Sequence, residues 1–338
     1  MKKSKFLLWL ITVVTVISML AACAPAATPT EAPKAEGKKP YEIAVVVKIT
    51  GIPWFNVVET GVKRAATELG VNAYQTGPAQ ADPAQQVKVV EDLVAKGVDA
   101  IAVVPNDAKS LEPVFKKAKE KGIVVITHES PDQVGNDYDF ELIDNVKFGQ
   151  QAWEQLVRHM GDSGEYAIFV GSLTVPLHNF WADTGLAYAK EKYPNLKPVT
   201  DRIPCGEDAD LARQKTLELL TAYPNLKGIV GFGSLGPIGA AQALREKGLG
   251  DKVAVVGTVI PSHAAPYLKD GSMDEGILWN PADAGFGMVW LAKYILDGNK
   301  VESGMEIPGI GKVTVEGNVV KADAILDITA ENAEQLGF

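Results

Sequence analysis

The sequence predicts an α/β protein made of two doubly wound parallel-sheet units. Three observations predict it. Short apolar runs alternate with amphipathic stretches from residue 41 onward, the pattern of strands joined by crossover helices. The apolar runs are continuous, not alternating, as expected of strands covered by helices on both faces. The alternation also breaks and restarts near Glu141–Lys147, dividing the 338 residues into two units of ordinary domain size.

The first unit opens with a strand at Ile43–Val47 and a helix from about Trp54 to Leu69. A strand at Val71–Tyr74, a helix at Pro83–Lys96 and a strand at Ala100–Val104 follow, then a helix at Ser110–Lys121 and a strand at Ile123–Thr127. Val87, Val90, Leu93 and Val94 set the helical spacing in one case; Leu111, Val114, Phe115 and Ala118 set it in another. Lys96-Gly97 and Lys121-Gly122 are stops, because glycine takes the left-handed cap conformation without strain. The second unit reads as helix Phe148–His159, strand Tyr166–Val170, helix Asn179–Lys192 and strand Val199–Ile203. It continues with helix Ala209–Ala222, strand Gly228–Phe232, helix Gly236–Lys247 and strand Val253–Val256. A helix near Ala264–Lys269, a strand Glu275–Leu278 and a helix Ala282–Leu296 complete it. Pro308–Phe338 is too short for a third domain and must pack on the others.

Ahead of these units lies a segment of different character. Lys2, Lys3 and Lys5 precede an apolar run, Phe6–Leu20, too short for the roughly 20 residues of a membrane span. The run ends in Leu20-Ala21-Ala22-Cys23. Residues 1–22 therefore read as a signal peptide, and Cys23 as the acceptor of a lipid. An uncleaved anchor helix is the other reading, and both place the folded part outside the cytoplasm. Residues 23–40 carry no large apolar side chain after Cys23 and are rich in proline, so they read as a flexible, extended tether.

Charge and cysteine usage narrow the function. The chain carries −9, and loss of the three leader lysines would take it to −12, which disfavours sequence-independent nucleic-acid binding. Two cysteines, Cys23 and Cys205, form no disulfide framework and no thiolate metal cage. His128-Glu129 begins an HExxH pattern, but Asp132 stands at the second histidine position, so no metal and no cofactor are expected. Gly231-Phe232-Gly233-Ser234-Leu235-Gly236 matches GxGxxG, yet the next strand supplies no acid for a ribose, so the glycines read as close strand-to-helix packing. Ser234 lacks the GxSxG elbow, and Glu129 has no indicated nucleophile beside it, so no enzyme is expected.

In open parallel sheets ligands bind beyond the carboxyl ends of the strands. Those positions here hold Lys48, Trp54 and Phe55; Asn106; Glu129; His178, Asn179 and Trp181; Ser234; and Trp279, Asn280 and Asp283. Amides offer both donor and acceptor, a carboxylate accepts from paired hydroxyls, an ammonium donates, and aromatic faces cover apolar ring surface. The mixture suits an uncharged polyhydroxyl ligand. Each residue has a plainer reading: Asn106 and Asn280 as helix caps, Trp54 and Trp181 as core, His178 as a surface residue. The argument rests on their joint position.

These segments resemble the type I periplasmic sugar-binding proteins, of ribose-binding or LacI-like fold, from Ile43 to about Asn332. The resemblance is carried by KITGIPWF at Lys48–Phe55, Thr76-Gly77-Pro78, DAIAVVPND at Asp99–Asp107 and WNPAD at Trp279–Asp283. IPGIGKVTV at Ile307–Val315 is similar to the autoinducer-2 receptors, and the whole is most like the rhamnose- and autoinducer-2-binding branch. The resemblance implies two lobes joined by a three-strand hinge with the ligand between them. The first lobe would be 41–145 with 281–306, the second 146–280 with 307–338. It implies that Lys48 contacts ligand and that Trp54 and Phe55 stack on a ring. Glu129 stands where the family usually has Asp, and His178 where this branch often has Gln, with Asn179 and Trp181 matching beside it. Phe180 replaces a ribose-clamping Arg, Val259 replaces an Asp, and Leu177 replaces the ligand-binding Asp of autoinducer receptors. The expected function is a lipid-anchored, extracytoplasmic substrate-binding protein of an ABC importer. It would be a monomer that takes a deoxyhexose or pentose, delivers it to a membrane permease, and touches the membrane only through its lipid. An autoinducer-2 receptor and a sensory protein feeding a chemoreceptor are the alternatives.

Overall fold

A computed structural model describes residues 39–338; the leader, Cys23 and the tether up to residue 38 lie outside the described residues. In chain order the first elements are β1 (Glu42–Val46), α1 (Pro53–Leu69), β2 (Asn72–Thr76), α2 (Pro83–Lys96), β3 (Ala100–Val103), α3 (Ala108–Glu120), β4 (Val124–Thr127) and β5 (Tyr138–Glu141). Next come α4 (Asn145–Met160), β6 (Ser163–Val170), α5 (Pro176–Lys192), β7 (Asn195–Pro198), β8 (Ile203–Pro204), α6 (Ala209–Ala222), β9 (Leu226–Gly231) and α7 (Gly236–Lys247). Then follow β10 (Ala254–Gly257), α8 (Pro261–Asp270), β11 (Glu275–Leu278) and α9 (Pro281–Leu296). The chain ends with β12 (Glu306–Ile307), β13 (Gly311–Lys312), β14 (Thr314–Glu316), β15 (Val319–Lys321) and β16 (Leu326–Ile328).

Two sheets carry the fold. The first has the order β14-β15-β5-β4-β3-β1-β2, parallel from β15 to β2 with β14 antiparallel at the edge. The second has the order β16-β11-β10-β9-β6-β7, with β8 also pairing with β6 and β16 antiparallel at the edge. Strand alternation sets the layers. Ile43, Val45 and Val47 belong to the core that includes α1 and α9, whereas Ala44 and Val46 pack with Val90, Leu93, Leu111 and Phe115 of α2 and α3. Helix starts follow local chemistry. Asp82, Asp107, Asp144 and Asp208 accept backbone N–H bonds at the starts of α2, α3, α4 and α6.

The chain passes between the sheets three times: from β5 to α4, from β11 to α9, and from β15 to β16. Two crossings run side by side, with Ala322 N–H donating to Glu141 O at 2.8 Å and Ala324 N–H to Leu142 O at 2.9 Å. Here the structure corrects the expected lobe boundary. Residues 307–338 were expected as one block with the second sheet, yet β14 and β15 pair in the first and only β16 joins the second. The reason is the free edge of β5, whose backbone groups need a partner that β15 supplies. The strand expected at Val199–Ile203 is instead β7 and β8, separated at residues 199–202. Pro198 has no N–H to extend pairing there, and β7 lies at the sheet edge.

Candidate functional site

Each sheet has a point where strand order reverses. In the first sheet it falls between β1 and β3, in the second between β6 and β9. The carboxyl ends of strands at such points leave a crevice, and the two crevices face one another. The narrow cavity between them is lined by Lys48, Ile52, Trp54, Phe55 and Glu129 from the first sheet's loops. Opposite stand His178, Trp181, Glu207, Gly233, Ser234, Thr258 and Trp279. Two contacts join the sides directly: Lys48 Nζ lies 3.3 Å from His178 Nε2, and Thr174 Oγ1 donates to Asn106 O at 3.0 Å.

Eight of the twelve residues expected from sequence line this cavity: Lys48, Trp54, Phe55, Glu129, His178, Trp181, Ser234 and Trp279. The other four are placed elsewhere, and each has a local reason. Asn106 is buried behind Lys48; its Nδ2 donates to Lys48 O at 2.8 Å and its N–H to Gln86 Oε1 at 2.8 Å, so it braces the β1 loop. Asn179 donates to Ser172 O and Val175 O while its Oδ1 accepts from Arg202, outside the cavity. Asn280 caps α9 by accepting from Ala282 N–H at 3.0 Å. Asp283 pairs with Arg64 on α1 at 3.1 Å. Glu207 and Thr258 were missed among the cavity's polar groups. Glu207 stands directly after β8 in Cys205-Gly206-Glu207, and that placement was the available signal.

The polar groups form a charged center inside an aromatic wall. Lys48 pairs with Glu129, and both side chains are almost fully buried. Gly171 N–H donates to His178 Nδ1 at 3.1 Å, so in the neutral ring the proton sits on Nε2. That N–H and the Lys48 ammonium are both donors, 3.3 Å apart, and neither can accept from the other. Both therefore present donors that a ligand oxygen can take. Burial, reinforced by the Lys48 charge, holds His178 well below the usual histidine range, so it stays neutral. Glu207 Oε1 stands 3.8 Å from His178 Nε2, and burial pushes its carboxyl up to about 7, with Lys48 opposing and Glu129 adding to the rise.

Further buried atoms have no protein partner: Glu207 Oε2, Ser234 Oγ, Thr258 Oγ1 and Trp279 Nε1, all on cavity-lining residues. Buried polar groups are normally satisfied, so four such atoms around one cavity mark a place prepared for a polar ligand. Trp279 is the center of the aromatic wall, its ring 5.2 Å from Trp54, 5.7 Å from Trp181 and 5.6 Å from Phe148. Trp181 is fixed in turn by its Nε1 donating to Asn145 Oδ1 at 2.8 Å. Among the described residues no group of three or more His, Cys, Asp or Glu side chains is arranged to hold a metal ion. No helix among them is long and apolar enough to cross a membrane.

Comparison with known proteins agrees with this architecture. The chain is 25% identical over 275 residues to the ribose import binding protein of Bacillus subtilis, covering 80% of this chain and 87% of that protein. It is 28% identical over 257 residues to the D-allose-binding periplasmic protein of Escherichia coli, covering 72% and 81%. Among solved structures, LsrB from Clostridium saccharobutylicum in complex with AI-2 superposes with a TM-score of 0.82 at 25% identity, over 88% of this chain and 100% of that one. An ABC transporter solute-binding protein from Clostridium phytofermentas with bound L-rhamnose gives a TM-score of 0.82 at 23% identity, over 88% and 98%, and so shares the fold. The periplasmic binding protein domain matches residues 43–300, most of the chain, and the protein belongs to that family.

Proposed function

We propose that this protein is the substrate-binding component of an ABC importer, held outside the cytoplasm by a lipid on Cys23, and that it captures an uncharged monosaccharide of deoxyhexose or pentose type. The observation that carries the reading is the set of unpartnered buried polar atoms around one cavity, set in a wall of tryptophan and phenylalanine. Hydroxyls need such donors and acceptors; the apolar face of a sugar ring needs the indoles. Named relatives bind ribose and allose, and neighbours of the same fold hold rhamnose and arabinose.

Function then follows from closure. Ligand contacts groups from both sides, so it binds the closed arrangement better than the open one and shifts the population toward it. The closed shape is what a permease would read. The protein acts as a monomer, and the residues at the cavity bind without catalysing a reaction. Lys48 and Glu129 engage hydroxyls from the first lobe; His178, Glu207, Ser234 and Trp279 engage from the second lobe and the hinge.

Autoinducer-2 is the second reading, favoured by the similarity to the AI-2 complex and by Lys48 in the cavity. Leu177, where the resemblance implies an acid for that ligand, is a buried apolar residue here and weighs against it. Isothermal calorimetry against L-rhamnose, D-ribose, D-allose, D-arabinose, D-tagatose, xylitol and autoinducer-2 tests the choice. At least one monosaccharide should bind, and Glu129→Ala should weaken it by about 1–3 kcal/mol. Silence across the panel rejects this ligand class.

A further inference from the structure

Glu207 is tightly held in the cavity. Among the described residues only two non-glycines have positive φ, Glu129 at 62° and Glu207 at 53°, and both are cavity carboxylates, one from each lobe. Such a conformation is strained for a side chain with a Cβ and persists only where surrounding structure enforces it. The Glu207 carboxyl lies between two glycines. A Cβ on Gly171 would come 2.7 Å from Oε1, and one on Gly233 would come 3.0 Å from Oε1 and 3.2 Å from Oε2. Glu207 is nonetheless left without a counter-charge. Lys48 is already paired with Glu129, His178 is neutral and its Nε2 is 3.8 Å away, and Glu207 Oε2 has no partner. Cys205, on the same loop, is buried beside it and is uncharged, its thiol pushed up to about 12 by burial and then by Glu207. From β9 to α7 and after β10, only Gly233, Ser234 and Thr258 face the cavity, none of them charged.

A buried carboxylate with no cation of its own resolves its cost by neutralising. Resting on the sugar-binding reading above, we propose that Glu207 is the specificity-determining residue of the second lobe, and that it enters the closed, ligand-filled cavity as a neutral acid. Capture of an uncharged polyol then takes up a proton from solvent. The proton lets one carboxyl both donate to a ligand oxygen and accept from a ligand hydroxyl, which an ionised carboxylate cannot do. The direction of the shift at Glu207, upward through burial, agrees with this.

Two measurements on the full protein test it. The first is calorimetry with L-rhamnose, D-ribose and D-allose at pH 8 in phosphate and in Tris, whose ionisation heats differ. Wild-type protein should show a buffer-dependent heat of up to one proton taken up per ligand, and affinity should fall by up to tenfold per pH unit above neutrality. Glu207→Gln should bind with no proton uptake and with affinity flat across that range. Buffer-independent heats in wild type, or the same proton uptake in Glu207→Gln, overturn the proposal. The second is carbon-13 titration of glutamate-labelled protein, ligand-free and saturated with a bound monosaccharide, comparing wild type with Glu207→Gln. The carboxyl signal absent from the variant should hold its proton to higher pH with ligand than without; a signal in the ordinary glutamate range in the ligand-saturated protein overturns the proposal. No sugar binding together with a raised titration would remove the sugar reading and leave the proton on Glu207. Sugar binding without proton uptake would do the reverse.

Discussion

At the scale of single residues, the cavity is shaped by what is missing as much as by what is present. Gly171 has an ordinary backbone that would tolerate alanine, so adding a methyl there tests the carboxyl's seat and not the chain's conformation. Gly171→Ala should weaken monosaccharide binding by tenfold or more in calorimetry, about 1.4 kcal/mol, and lower the thermal midpoint, because the methyl must displace the buried Glu207 carboxyl and His178 ring. In a Glu207→Ala background most of that loss should vanish, because the colliding oxygen is gone; an undiminished loss would mean the methyl acts on His178 instead. The same scale shows what a sequence can and cannot reveal. Lys48 and Glu129 were legible because they follow strands β1 and β4 within two residues, and His178 because it lies in the first turn of the helix that follows β6. Asn106, Asn179 and Asn280 were not, because asparagine serves caps and loop braces as readily as ligands, and only hydrogen-bond partners separate these uses. Glu207 also follows a strand, but its seat between Gly171 and Gly233 depends on residues far from it in sequence.

The elements most easily read were those with strong periodicity; the least were those that carry the hinge. Helices α2, α6 and α7 match their expected spans, as apolar spacing and capping residues act locally. Strand β5 reads Tyr-Asp-Phe-Glu, which looks like an exposed connector, although Asp139 and Glu141 are fully buried on one face of it. Asp139 accepts from Thr127 Oγ1 at 2.6 Å and from Ser130 N–H at 3.2 Å, while Asp139 Oδ2 and both Glu141 oxygens lack aligned partners. Burial raises both carboxyls, and for Glu141 the neighbouring Asp139 charge adds to it. A carboxyl raised on folding contributes stability that is present in acid and is lost as pH rises through its folded value. Glu141→Gln removes that loss without changing shape. Its unfolding free energy should match wild type near pH 4.5 and exceed it increasingly toward pH 8, by up to about 1.4 kcal/mol per unit. Parallel curves from urea melts at several pH values would show that Glu141 does not hold a proton in the hinge.

For the molecule as a whole, the structure is the closed arrangement, since groups from both lobes touch across the cavity. Those cross-cavity contacts decide how long a ligand stays. Lys48 and His178 present donors toward the same space and gain from an acceptor between them, whereas Thr174 and Asn106 already hold one another without ligand. The Thr174 hydroxyl reaches a backbone carbonyl of the opposite lobe at 3.0 Å, near the exposed rim, so it acts as a latch on closure and not as a ligand contact. Thr174→Val keeps the shape and deletes the donor. Because the residue is exposed, the bond is worth about 0.5–1 kcal/mol, and because it forms only on closure, its loss should fall on dissociation. Stopped-flow tryptophan fluorescence can follow this, with Trp54, Trp181 and Trp279 lining the cavity. The variant should release a bound monosaccharide roughly two- to fivefold faster, with an unchanged association rate. An effect confined to association would place the bond in the open state and remove its role as a latch.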